Sequence, residues 1–280
     1  MNSEKLKNLI RNKANGDSNL SIQFYQLFYF ERLLERISLS KYKNSIIIKG
    51  GFLLTSIIGE DDRTTKDMDA TIKGIPLNQK EVEKLFKNII NIKINDGVNF
   101  EIESIKDIRL EDEYGGFRAL LRATLDSNRT FVAVELTTGD AITPSEVSYN
   151  YKSIFDDKTI NVYSYNIETV IAEKFQTIIS RGVLNTRLKD FYDMYKLMSM
   201  SNIIIDKNIL NKAIKNTFER RNTKFDIEYF KEVVDSIKDD DYMIKLWNEY
   251  SKKNHYAKGI ELNDTIDSVV KVIKILSKTL

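Results

Sequence analysis

The run SIIIK at 45–49 ends in the pair Gly50-Gly51 and passes at once into the apolar segment FLLTSII at 52–58. Consecutive β-branched residues suit a strand buried on both faces. The glycines then end the strand and open a short helix, so this stretch predicts a strand, a tight turn and a helix of a mixed α/β layer. Glycine at a helix entrance lets backbone N–H groups approach a phosphate closely, and the helix N-terminus adds a favourable partial charge. A glycine pair alone is also an ordinary tight turn.

The next strand adds weight to the phosphate reading. The segment KDMDATI predicts a strand that starts with Asp67 and Asp69. Side chains alternate along a strand, so both carboxylates point to one face, where they repel each other unless a cation holds them. Mg²⁺ takes one or two protein carboxylates together with substrate phosphates, and Asp67 and Asp69 are the expected metal pair. Isolated, such a pair is commonly surface charge; here it comes one helix and one loop after the glycine turn. Arg63, just upstream, fits either a local ion pair or a phosphate contact. Glu135 lies in the apolar strand FVAVELTTGD, on the face of Ala133 and Thr137. It fits the third member of a carboxylate triad, or the exposed face of an antiparallel sheet.

The rest of the chain divides by period. Helices are expected at 4–14 and 18–38, the second opened by the capping cluster Asp17, Ser18 and Asn19, and an amphipathic helix covers LNQKEVEKLFKNIINI. From about residue 98 come three β segments, NFEIESIKDI, FRALLRATLD and TFVAVELTTG, close enough in sequence to pair antiparallel, then a hairpin with Asp156-Asp157 at its turn. Beyond Asn166 the pattern is helical, in segments near 167–182, 187–200, 207–219, 226–237, 240–253 and 263–278. The expected class is α+β: a mixed sheet with flanking helices in residues 1–165, and an all-helical domain in 166–280.

Composition removes several chemistries. The chain has no cysteine, which excludes disulfides and thiolate zinc, and its single histidine, His255, makes a histidine metal cluster or a Ser-His-Asp triad hard to build. Catalysis must rest on carboxylates, Lys, Arg and bound metal. The net charge of +2 gives no global sign of a nucleic-acid binder. The most apolar early stretch, LSIQFYQLFYFERLLERI, is interrupted by Gln23, Gln26, Glu31, Arg32, Glu35 and Arg36, so it reads as a buried amphipathic helix rather than a membrane span. The N-terminal residues mix charge with scattered apolar positions, unlike a signal peptide, and a cytoplasmic protein is expected.

The glycine pair, the Asp-x-Asp strand and the later acid together resemble the nucleotidyltransferase superfamily. The stretch NIETVIAEKFQTIISRGVLNTRLKDFYDMYKL at 166–197 is similar to the AbiEii/AbiGii toxin family of nucleotidyltransferase-like proteins, chiefly through AEK and then RLKDFYD. The resemblance spans most of residues 45–200. It implies a nucleotidyltransferase domain joined to a helical domain that contributes to the active-site cleft and to acceptor binding. It also implies a toxin of a bacterial toxin–antitoxin or phage-defence pair with a separate antitoxin protein. By the same resemblance Gly50 and Gly51 bind nucleotide, Asp67 and Asp69 are catalytic and hold Mg²⁺, and Lys174 is the cation expected at the triphosphate. Asp190 is the acid of the last motif and Asp193, one turn on, is placed with the nucleotide. Glu135 as a metal ligand comes from superfamily logic. The implied reaction moves a nucleotide from an NTP to an RNA acceptor, with a tRNA 3′ end as the expected one.

On residue chemistry alone, Asp190 and Asp193 share a helix face, and with Arg187 and Lys189 they fit an ion-pair network between helices as well as a site. Lys207, Lys212, Lys215, Arg220, Arg221 and Lys224 fit an RNA-facing surface or ordinary helix surfaces. Two rivals stay open: a nucleotidyltransferase acting on a protein or small molecule, and a non-catalytic nucleotide-binding module, which would not need the second aspartate.

Overall fold

A computed structural model describes residues 1–61, 63, 65–108 and 115–278. The chain divides into two compact units, one of Met1–Glu60, Thr64–Gly139 and Val147–Ser164, the other of Asp61–Arg63, Asp140–Glu146 and Tyr165–Leu280.

The first unit contains α1 (Ser3–Lys13), α2 (Ser18–Leu39), β1 (Ile46–Lys49), α3 (Gly50–Ile58), β2 (Asp67–Ile72), α4 (Gln79–Ile90), β3 (Val98–Ile108), β4 (Gly116–Leu125), β5 (Asn128–Thr137), β6 (Val147–Lys152) and β7 (Thr159–Ser164). Its seven strands form one sheet in the order β3-β4-β5-β2-β1-β7-β6. The β3-β4-β5 stretch is antiparallel as expected, as are β1 with β2 and β6 with β7, whereas β2 with β5 and β1 with β7 run parallel. The expected mixed sheet is therefore present, with β1 between two neighbours and buried along its length.

Alternation gives this sheet two chemically different faces. Phe117, Ala119, Leu121 and Ala123 of β4, Val132, Val134 and Leu136 of β5, and Met68, Ala70 and Ile72 of β2 are all buried. Residues offset by one carry Arg118, Glu135, Asp67 and Asp69 to the other side. Helix α2 is capped by Asp17, whose side chain accepts from the N–H groups of Asn19 and Leu20. It buries Phe24, Leu27, Phe28, Phe30, Leu33 and Leu34, and with them the charged Glu31, Arg32 and Arg36.

Those charges are paired with distant parts of the unit. Arg32 forks onto Asp156 at 2.8 and 2.7 Å. Glu31 accepts from Tyr151 Oη at 3.0 Å, from Ile154 N at 2.8 Å and from Ser153 Oγ. Arg36 reaches Asp96 at 2.7 and 3.1 Å and the Val98 carbonyl at 2.8 Å. The helix expected to be buried and amphipathic is thus also an anchor for the β6–β7 hairpin and the entry to β3. Burial pushes the Glu31 carboxyl up, with its hydrogen bonds and Arg32 opposing.

The second unit holds α5 (Ile167–Arg181), α6 (Leu188–Ser199), α7 (Lys207–Arg220), α8 (Ile227–Lys238), α9 (Asp241–Lys253) and α10 (Leu262–Ser277). Asn166, Asp206, Asp226 and Asp240 cap four of these helices with side-chain oxygens on backbone N–H groups. Phe175, Phe218 and Phe230 are buried and pack edge-on or tilted with one another and with the half-buried Phe225, and Trp247 Nε1 donates to the Ile260 carbonyl at 2.8 Å. Among the described residues no helix is long and apolar enough to cross a membrane.

Candidate active site

Strand register assembles a row of charge on one face of the sheet. Lys49 of β1 lies opposite Asp69 of β2, Asp69 beside Glu135 of β5, and Glu135 opposite Arg118 of β4. Asp67 lies two residues before Asp69, in register with Ala133. The two aspartates, expected from alternation to share a face, do share it, and Glu135, which the sequence leaves open as a triad member or an exposed sheet residue, lies in register with Asp69 on that face.

The glycine turn and the Asp-x-Asp strand interlock. Gly51 N–H donates to Asp69 Oδ2 at 3.1 Å. Gly50 sits at φ +59°, and a Cβ on it would overlap the Asp69 carboxylate. Sequence predicts a pair that admits a phosphate; in the fold it admits a carboxylate, and the N-terminus of α3 faces that charge. Lys49 is buried and donates through Nζ to Thr137 Oγ1 at 2.8 Å. Arg118 donates through Nη1 to Glu135 Oε1, and the same nitrogen lies 3.8 Å from Asp67 Oδ2. A lone acid in an apolar strand calls for a partner, and Arg118 is one for Glu135.

Among the described residues no three His, Asp or Glu side chains converge into a ready metal cage. The donor chemistry of Asp67 and Asp69 still fits a hard divalent ion: both offer carboxylate oxygens on one strand face, and a backbone N–H orients one of them. Glu135 offers further oxygen on the same face, while Arg118 engages it.

In the helical unit the motif residues come together. Lys174 of α5 places Nζ 2.6 Å from Asp190 Oδ1 and 2.7 Å from Asp193 Oδ2 of α6. Arg63 reaches Asp193 with Nε at 2.7 Å and Nη2 at 3.0 Å, and Arg187 Nε lies 3.2 Å from Asp190 Oδ2. Asp193 is fully buried and Arg63 nearly so. Of the two readings open for Arg63 an ion pair is present, though its partner lies on α6 rather than nearby in the chain.

The electrostatics come from this packing. Burial alone would raise the Asp193 carboxyl, but Arg63 and Lys174 overcome it and hold the group well below the usual carboxylate range. Burial likewise opposes the charge on Lys174, and Asp190 and Asp193 more than offset it, so the ammonium is held protonated more firmly than a free lysine. The cluster is a fixed charge array whose members orient one another.

Lys49 and Arg118 are site-face residues that sequence reasoning alone does not single out. A lysine closing an all-isoleucine strand and an arginine at alternate spacing in FRALLRATL are visible signals, yet only strand register aligns them with the carboxylates.

The family model described as "Nucleotidyl transferase AbiEii toxin, Type IV TA system" matches residues 32–265. Among solved structures, a provisionally assigned nucleotidyltransferase from H. pylori is similar at 15% identity and a TM-score of 0.53, covering 92% of this chain and 96% of its own. JHP933 from Helicobacter pylori is similar at 14% identity and a TM-score of 0.52, covering 91% and 93%. These two likenesses establish the fold. A search of curated proteins returned no match.

Proposed function

Because this chain belongs to the AbiEii family of nucleotidyltransferase toxins from type IV toxin–antitoxin systems, we propose that it moves a nucleotide from an NTP to the 3′ end of a tRNA, in the cytoplasm and with Mg²⁺, as one arm of a phage-defence pair. The observation that carries the reading is the interlock between the Gly50-Gly51 turn and Asp69, which fixes one carboxylate of the Asp-x-Asp pair at the entrance of a helix.

Asp67 and Asp69 would hold the Mg²⁺ ion, with Glu135 as a further ligand. When bound, the ion neutralises charge on the reacting phosphate and favours ionisation of the acceptor hydroxyl. Gly51 N–H keeps Asp69 aimed, and Gly50 leaves it room. The acceptor hydroxyl gives its proton to water, its oxygen forms a bond to the α-phosphorus, and the bond to the bridging oxygen breaks as pyrophosphate leaves. Within the helical unit Asp190 and Asp193 hold the Lys174 ammonium in place and Arg63 keeps Asp193 charged, the arrangement expected of a cation that meets a triphosphate. The work of these residues is positioning and electrostatics.

The test is to incubate purified protein with Mg²⁺, each labelled NTP in turn and total bacterial tRNA, and to resolve the products on a gel. Label on tRNA from one NTP, abolished by EDTA and by Asp67→Asn or Asp69→Asn with unchanged melting, is expected. Full transfer by either variant would make the pair structural. Label on a protein or small molecule would move the acceptor to that class, and no label from any NTP would leave a binding module without transfer.

A further inference from the structure

Arg118 lies across the carboxylates that the proposed function assigns to a cation. It stands opposite Glu135 in the β4–β5 ladder, and its Nη1 contacts Glu135 while lying 3.8 Å from Asp67 Oδ2. One guanidinium therefore pairs with Glu135 and partly offsets the charge of Asp67, two of the three carboxylates on this face. Asp69 is held differently, by a backbone N–H that a metal ion need not disturb. The Arg118 side chain is 44% exposed, against 34% for Asp67 and 21% for Glu135, so its contacts are those of a solvated ion pair that exchanges readily. A divalent ion on Asp67 and Glu135 competes with Arg118 for Glu135 Oε1, and its double charge repels a guanidinium held beside Asp67.

We propose that Arg118 is an internal counter-ion that a divalent cation must displace from Glu135 and Asp67, so that metal binding and release of the guanidinium are one event. This rests on the reading that Asp67 and Asp69 hold the cation. In the metal-free chain the guanidinium keeps the carboxylates from repelling one another, and the stabilisation it gives is what an incoming ion must replace.

The experiment titrates Mn²⁺ alone into metal-free wild type, Arg118→Gln, Arg118→Lys and Asp69→Asn, with free Mn²⁺ monitored by electron paramagnetic resonance. Arg118→Gln should bind Mn²⁺ roughly three- to tenfold more tightly than wild type, the effect of removing one exposed competing charge. Arg118→Lys, which keeps the charge, should stay closer to wild type. In ¹⁵N-labelled wild type, where no variant has to fold, the Arg118 Nε–H resonance should move with Mg²⁺ along the binding curve. Equal or weaker Mn²⁺ affinity in Arg118→Gln, or an Arg118 resonance unmoved at saturating Mg²⁺, overturns the inference. Failure of the underlying reading shows elsewhere: Asp69→Asn then binds Mn²⁺ as wild type does. Absence of Mn²⁺ binding to wild type overturns both.

Discussion

Gly50 is held at φ +59° with the Asp69 carboxylate where a β-carbon would lie, so the residue is required twice, by conformation and by space. Gly50→Ala should cost about 1–3 kcal/mol in a urea melt and should also impair nucleotidyl transfer, because relieving the clash moves Asp69. A stability loss with full transfer would show that the position of Asp69 is not limiting. Asp193 makes the second residue-scale prediction. Its folded pKa lies below the unfolded one, so its contribution is complete above the ordinary carboxylate range and is lost as pH falls toward the folded value. The urea midpoint of the wild type should fall between about pH 5 and pH 3, and Asp193→Asn should flatten that slope. At pH 7 the same variant leaves Arg63 and Lys174 short of a buried counter-charge and should cost about 3–5 kcal/mol. Asp67 and Asp69 are legible in the sequence as candidates by type and spacing, whereas Lys174, Asp190 and Asp193 are picked out by the resemblance carried by AEK and RLKDFYD. That Gly51 donates to Asp69, or that Arg63 meets Asp193, is not legible there, since each pairing joins segments whose approach only the fold decides.

At the scale of elements, local pattern locates the helices and strands well because most have a strong period and a capping or turn residue at an end. Asp17 and Asn166 cap the helices they precede, and the turn through Asp156-Asp157 joins β6 to β7. Parallel pairing of β2 with β5 and of β1 with β7 has no such signal, because the paired segments are far apart in the chain. The charged residues of α2 are visible as breaks in an apolar run, but their burial is not, since Asp96 and Asp156 lie far along the chain. Arg36 tests what this buried polar face contributes. Arg36→Met leaves Asp96 buried without its cation and should lower stability by about 3–5 kcal/mol. Adding Asp96→Asn, which keeps an acceptor for Val98 N–H, should restore at least half of that loss in the same denaturation assay. No recovery in the double variant would mean that Arg36 acts through packing on Phe100 rather than through the pair.

At the scale of the whole molecule, the balance of 43 basic and 41 acidic residues hides how the basic residues of the helical unit are used. Arg221 turns inward onto α5, with Nη1 2.7 Å from Gln176 Oε1 and Nη2 3.0 Å from Glu173 Oε1, while Lys224 pairs with Asp226 at 2.7 Å. Arg221 is committed to the fold, so removing it would confuse loss of structure with loss of binding, and Lys224, though exposed, is already paired with a carboxylate. Lys207, Lys212 and Lys215 are exposed along α7, with Lys215 also 5.7 Å from the Phe225 ring centroid. A tRNA acceptor extends well beyond a metal and an NTP and draws much of its affinity from ion pairs with phosphates, each of which releases counterions. Changing Lys207, Lys212 and Lys215 together to Gln should therefore weaken tRNA binding and reduce the slope of log affinity against log salt by up to about 3, at roughly one for each phosphate no longer neutralised. NTP binding in the absence of tRNA and the melting temperature should not change. An unchanged salt slope would place the acceptor on another surface of the chain, or would show that the acceptor is not a nucleic acid; Arg221→Ala should instead lower the melting temperature, because it removes the tie between α5 and the end of α7.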